Sequence, residues 1–130
     1  MFGDSLSLLP MKTINSYRDL DAWKVAMDLT ELVYHATVSF PDNEKYGLIS
    51  QLRKAAVSIP SNIAEGQGRH GVKEFLHHLS IAKGSLCELE TQVIIAVRLK
   101  YADKVQGEAI WEKSQHVGRL LSGLIRSLRT

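Results

Sequence analysis

Apolar side chains along this chain recur at steps of three and four residues, and no stretch alternates as a half-buried strand would. From about Arg18 to Ser39, Leu20, Trp23, Met27, Thr30, Val33 or Tyr34, Thr37 and Phe40 form one stripe. Lys24, Asp28, Glu31 and His35 fall opposite, so the segment reads as an amphipathic helix. Ser16 followed by Asp19 supplies an N-terminal cap, and Pro41-Asp42-Asn43 stops this helix and starts the next. The second helix is expected from about Glu44 to Ala64, with Leu48, Leu52, Ala55 or Ala56, Ile59 and Ile63 buried. Gly66 and Gly68 end it, as glycine commonly does.

The third helix begins near Val72 and reaches about Lys100. Its Val72, Phe75, Leu79, Ala82, Leu86, Leu89, Val93 and Val97 approach a heptad seam. Tyr101-Ala102-Asp103 makes a turn, and the fourth helix runs to near Leu128 with Ile110, Val117, Leu121, Leu124 and Leu128 inward. Four helices joined by short connections fold back on their neighbours, which predicts an all-α, up-down-up-down antiparallel four-helix bundle. The expected organisation is a flexible N-terminal extension over residues 1–16 and a single bundle domain over 17–130.

The apolar pattern leaves a surplus. Leu76, Ile81, Ile94, Ile95 and Leu99 lie off the seam of the third helix, and Trp111 and Ile125 draw a second line on the fourth. A second stripe either widens the core or forms an exposed patch, and these residues are the candidate oligomer interface.

Composition narrows the setting. The chain has 130 residues, 45% hydrophobic and 23% charged, enough for one core in one domain. A single cysteine, Cys87, excludes an internal disulfide framework and a multi-cysteine zinc site and favours a reducing cytoplasm. The longest apolar run, Val93 to Val97, is far below the ~20 residues of a spanning helix. The opening MFGDSLSLLPMK lacks the layout of a signal peptide, and Met11 is an equally good start.

Formal charge is only +2, yet its distribution is uneven: from Arg98 onward seven Lys/Arg face three acids, a local +4. Arg119, Arg126 and Arg129, with Arg98 and Lys100, form a candidate nucleic-acid face; Arg69 and Lys73 join them at the start of the third helix, where free N–H groups attract anions. No aromatic interleaving supports single-strand stacking.

Two motifs invite chemistry and fail on context. Gly66, Gly68 and Gly71 spell G-x-G-x-x-G, but they follow a helix, whereas a dinucleotide loop follows a strand. Glu74-x-x-His77 has di-iron spacing, but a di-iron bundle needs two such motifs and two more inward glutamates. The expectation is therefore no catalytic residue, no metal and no cofactor. Cys87, beside the seam, reads as a small buried hydrophobe.

A polar cluster remains. Gln51, Ser58, Asn62 and Glu65 share a flank of the second helix, and Ser80, Lys83, Gly84, Ser85 and Glu88 hold comparable places on the third. Trapped polar groups must bond one another, so Arg53, Ser58, Pro60, Asn62, Glu65, Gly66, Ser85 and Glu88 are read as a structural joint, with Arg53 pairing Glu88 or Glu90. Pro60 removes a donor and clashes with the carbonyl of Ala56, at a cost of ~3 kcal/mol, which predicts a bend and another partner for that carbonyl.

The order YRDLDAWKVAMDL (from Tyr17), SFPDNEKYGLISQLRKAAVSIPSNIAEGQGR (from Ser39) and EFLHHLSIAKGSLCELETQV (from Glu74) resembles the 23S rRNA intervening-sequence proteins over roughly Tyr17 to Tyr101. The resemblance implies a small bacterial cytosolic protein with no established enzymatic activity and a ring-like homopentamer of antiparallel bundles. A related retroelement accessory protein is strongly basic and binds nucleic acid and a reverse transcriptase; at +2 this chain departs from it.

The expected function is therefore a non-enzymatic, self-assembling scaffold associated with RNA. The alternatives are an adaptor that docks a partner helix and, behind it, a metal or small-ligand bundle.

Overall fold

The structure, a computed structural model, describes residues 16–129. All but the last residue of the expected N-terminal extension lies outside the described residues, as does Thr130. Ser16 and Asp19 do form a capping box: the Ser16 hydroxyl accepts from the Arg18 N–H at 3.0 Å and Asp19 accepts from the Ser16 N–H at 3.3 Å. The box caps a 3₁₀ turn, Tyr17–Asp19, rather than the helix expected from Arg18. Helix α1 spans Asp21–Thr37.

After Phe40 and Pro41 a second 3₁₀ turn, Asp42–Glu44, precedes α2, Leu48–Gly68. The delay relative to the expected start at Glu44 has a visible cause. Glu44 serves as a cap, its Oε1 accepting from the Leu48 N–H at 3.0 Å while Oε2 accepts from the Tyr101 hydroxyl at 3.2 Å. That phenol is held above its ordinary pKa, first by this hydrogen bond and then by burial and the carboxylate's charge. The start of α2 is thereby tied to the turn between the last two helices.

Helix α3 spans Val72–Arg98 and α4 spans Lys104–Arg129. One capping expectation is corrected. Helix α2 continues through Gly66 and Gly68, and the residue beyond its cap that turns left-handed is His70, at φ 62°. Helix α3 ends in a Schellman motif with Lys100 at φ 63°: Tyr101 N–H reaches the Ala96 carbonyl and Lys100 N–H the Val97 carbonyl.

Cross-helix contacts set the packing. Thr30 meets Ala56 and Thr37 meets Arg53; Ser58 meets Ser85 and Asn62 meets His78; Glu90 meets Gln115 and Leu86 lies under Gly118. In every pair one number rises as the other falls, so neighbours run antiparallel. Each helix packs on the two beside it around a ring, and the diagonal pairs stay apart. The core is Leu29, Val33, Leu52, Ile59, Ile63, Leu79, Leu89, Val117 and Leu121.

The inward stripe of α1 is the expected one only in part. Leu20, Val33, Thr37 and Phe40 are buried as expected, but Ala22, Ala26, Leu29 and Ala36 fill the middle, whereas Met27 and Tyr34 are 39% and 41% exposed and Trp23 is half-buried. Both sets repeat at helical spacing. Small alanines let α1 lie close to its neighbours, and the bulky side chains take the margins: Trp23 meets Tyr17 edge-on, and Tyr34 lies under the Arg53 guanidinium at 4.6 Å. Cys87, expected to be buried, is exposed.

Candidate functional site

The expected polar joint exists between α2 and α3, with altered membership. Ser58 and Ser85 hydroxyls share a hydrogen bond of 2.8 Å, and the Asn62 amide donates to the Ser58 carbonyl at 2.8 Å and hydroxyl at 3.1 Å. Asn62 Oδ1 lies 3.0 Å from His78 Nδ1, and Gln92 Nε2 donates to Gln51 Oε1 at 3.4 Å. Three rungs thus cross the α2–α3 interface. Gly66 makes the closest approach possible: a methyl group there would stand 2.8 Å from His78 Cβ and 3.0 Å from Phe75 Cδ1.

Three expected members sit elsewhere, and a fourth, Glu88, stays at the seam unbonded among the described residues. Arg53 pairs with neither Glu88 nor Glu90; its Nε donates to Thr37 Oγ1 at 2.9 Å on the α1 side of α2. Glu90 instead accepts from the Gln115 amide. Glu65 turns outward to Arg69 at 2.8 Å, whose hydrogen bond, with the His78 charge second, holds the carboxyl below its usual range. Glu88 is exposed at the lip of the seam, without a hydrogen bond or ion pair among the described residues. Pro60 is buried towards α1, and the carbonyl its ring displaces shares another donor: Ala56 O lies 3.2 Å from Thr30 Oγ1, whose single proton also has the nearer Ala26 carbonyl of its own helix at 2.8 Å. Gln92 and His78 were missed, although Gln92 lies one heptad beyond Ser85 and shares its flank.

The basic residues do not form one patch. Arg98 and Lys100 lie where α3 passes into α4, whereas the antiparallel register carries Arg126 and Arg129 towards the first turns of α3, near Arg69 and Lys73. Arg126 also joins Arg119 and Lys83 along an α3–α4 groove of about 450 Å³, with Glu90 as the acid among its lining residues and Cys87 beside it.

The surplus apolar residues divide too. Ile94 and Trp111, 43% and 40% exposed, flank a groove of about 340 Å³ at the other end of the α3–α4 interface, floored by Val93, Val97 and Gly107. Ile81, Ile95 and Leu99 are exposed on the α2-facing flank of α3, while Leu76 and Ile125 are half-buried. Glu74 and His77 of the di-iron-like motif are exposed, and among the described residues no three His, Cys, Asp or Glu cluster as metal ligands. Within the same residues no helix is long and apolar enough to cross a membrane.

Geometry therefore defines an all-α antiparallel four-helix bundle, with a hydrogen-bonded seam on one side and apolar and cationic grooves on another. The family described as 23S rRNA-intervening sequence protein matches residues 18–123, and the chain belongs to that family. The fold is similar to the crystal structure of a protein of unknown function from the S23 ribosomal protein family of Bacteroides thetaiotaomicron. The two share a TM-score of 0.72 and 21% identity, over 80% of this chain and 97% of that one. No curated protein matches the chain.

Proposed function

We propose that this protein is a non-enzymatic cytoplasmic scaffold that closes into a homopentameric ring and associates with RNA. The observation that carries the reading is apolar surface left over once the bundle has formed: Ile94 and Trp111 stay open to solvent around one groove while the core beneath is complete. An exposed apolar groove on a small domain favours association, because each Å² removed from water contributes roughly 25 cal/mol. Lys83, Arg119 and Arg126 along the same pair of helices give the ring a repeated cationic groove, which supports the RNA half of the reading.

Sedimentation of the full chain at micromolar concentration tests the assembly. The wild type is expected as a pentamer, and Ile94→Lys and Trp111→Glu as smaller species with undiminished helical circular dichroism. A wild-type monomer, or pentamers in both variants, overturns the reading; a monomer that captures a helical partner in the groove favours an adaptor instead.

A further inference from the structure

The seam between α2 and α3 opens to solvent as a cleft of about 350 Å³, lined by Gln51, Lys54, Ser58, Ser85, Glu88 and Gln92 among its polar groups. Its chemistry is incomplete. Gln92 is only 8% exposed, its Nε2 spends itself on Gln51 at a long 3.4 Å, and its Oε1 has no hydrogen-bond partner among the described residues. A buried amide oxygen without a donor costs about 1–3 kcal/mol. Turning both amides over only exchanges the orphan, leaving Gln92 Nε2 without an acceptor.

The cleft also holds two opposite charges that do not meet. The Gln51–Gln92 and Ser58–Ser85 rungs bracket Lys54 on α2 and Glu88 on α3, which places the ammonium and the carboxylate on facing lips at one level. Neither has an ion-pair partner among the described residues. Beside them is the Ser58–Ser85 rung, whose single shared hydrogen bond uses one hydroxyl proton and leaves the other to donate. Ala55 is the one apolar residue of the lining, but the aliphatic stems of Lys54, Gln51 and Glu88 add apolar surface, so the cleft suits a compact guest with charged ends and a short apolar body better than a wholly apolar helix face.

We propose that this cleft binds a small zwitterion of the α-amino-acid class. Its ammonium group faces Glu88 and donates to Gln92 Oε1, an atom closed to solvent here that the guest meets by turning the Gln92 side chain outward, and its carboxylate faces Lys54 and accepts from a serine hydroxyl. A zwitterion carries donors and acceptors together, so it satisfies Gln92 in either amide orientation. The site lies apart from the α3–α4 grooves and stands whether or not the chain assembles through them.

Calorimetric titration of the full chain with a panel of free α-amino acids tests this, with the matching primary amines and carboxylic acids as one-charge controls. At least one amino acid is expected to bind saturably and to raise Tm, while both of its controls fail. Gln92→Leu is expected to abolish that binding. Lys54→Met and Glu88→Gln, on exposed lips where folding is not at stake, are each expected to weaken it about tenfold, the equivalent of one charge-assisted hydrogen bond. The proposal is overturned if no amino acid binds, if the controls bind equally well, or if Lys54→Met and Glu88→Gln leave affinity unchanged. It is overturned too if these variants change the oligomeric state, because the cleft would then be filled by a second copy.

Discussion

Gly66 shows how a single absent methyl group positions a site. An alanine there gains ~1 kcal/mol of helix propensity, but its Cβ would stand 2.8 Å from His78 Cβ, an atom anchored to the α3 backbone. The clash dominates: Gly66→Ala is expected to lose about 1–3 kcal/mol in urea denaturation, as overpacking does elsewhere. Pro60 poses the complementary question. It leaves the Ala56 carbonyl to the Thr30 hydroxyl, which shares its proton with the nearer Ala26 carbonyl, so Thr30→Val is expected to cost at most about 1 kcal/mol. In a Pro60→Ala background the restored N–H can take that carbonyl, and the cost of Thr30→Val should shrink. Equal costs in the two backgrounds, read by a thermal double-mutant cycle, would refute the compensation. That the Ala56 carbonyl needs a new partner follows from Pro60 alone; that Thr30 supplies it depends on how α1 lies against α2.

Among the elements, α3 carries the most divided duties, with the core on one side, the polar seam on a second and an apolar groove on a third. Its middle contains Gly84, where an added Cβ would meet nothing within 4 Å. Nothing among the described residues requires a glycine there. Gly84→Ala is therefore expected to stabilise the isolated subunit by about 1 kcal/mol, measured as a rise in Tm. Gly107 differs: on α4, a methyl group there would approach Val97 Cγ2 to 2.5 Å, so glycine lets α3 and α4 close at the floor of the Ile94–Trp111 groove. Helix periodicity marks both residues as interruptions of an otherwise good helix former. Only the register between helices tells a glycine that holds two helices together from one that faces solvent.

For the whole molecule, charge is a matter of geometry more than of totals. A formal +2 is too small to hold a polyanion, and the antiparallel topology separates Arg98 and Lys100 from Arg126 and Arg129 by most of the length of α4. Lys83, Arg119 and Arg126 nevertheless share a groove, and the proposed ring would repeat it on every subunit. RNA affinity of the assembled protein is expected to fall steeply between low and physiological salt. Neutralising Arg119 and Arg126 should flatten that dependence, by about one unit of slope for each phosphate that an arginine no longer neutralises. Filter binding across a salt series decides it, and salt-independent retention would count against RNA as the partner.

The sequence by itself determined four helices, the buried seam of α4, that of α3 from Leu79 to Val93 though not its expected first residue Val72, which is exposed, and the flank on which Ser58, Asn62 and Ser85 meet. Period and side-chain polarity are local, and short connections leave antiparallel packing as the economical arrangement. Tertiary structure alone decided that Ala22, Ala26, Leu29 and Ala36 of α1 enter the core in place of Trp23, Met27 and Tyr34, that Arg53 bonds Thr37 and stacks on Tyr34, and that His70 and Lys100 take the left-handed turns. It also decided that Gln92 ends with an oxygen unmet. Those outcomes depend on how each helix is rotated and slid against the next, and a pattern read along one helix carries no information about its neighbour's register.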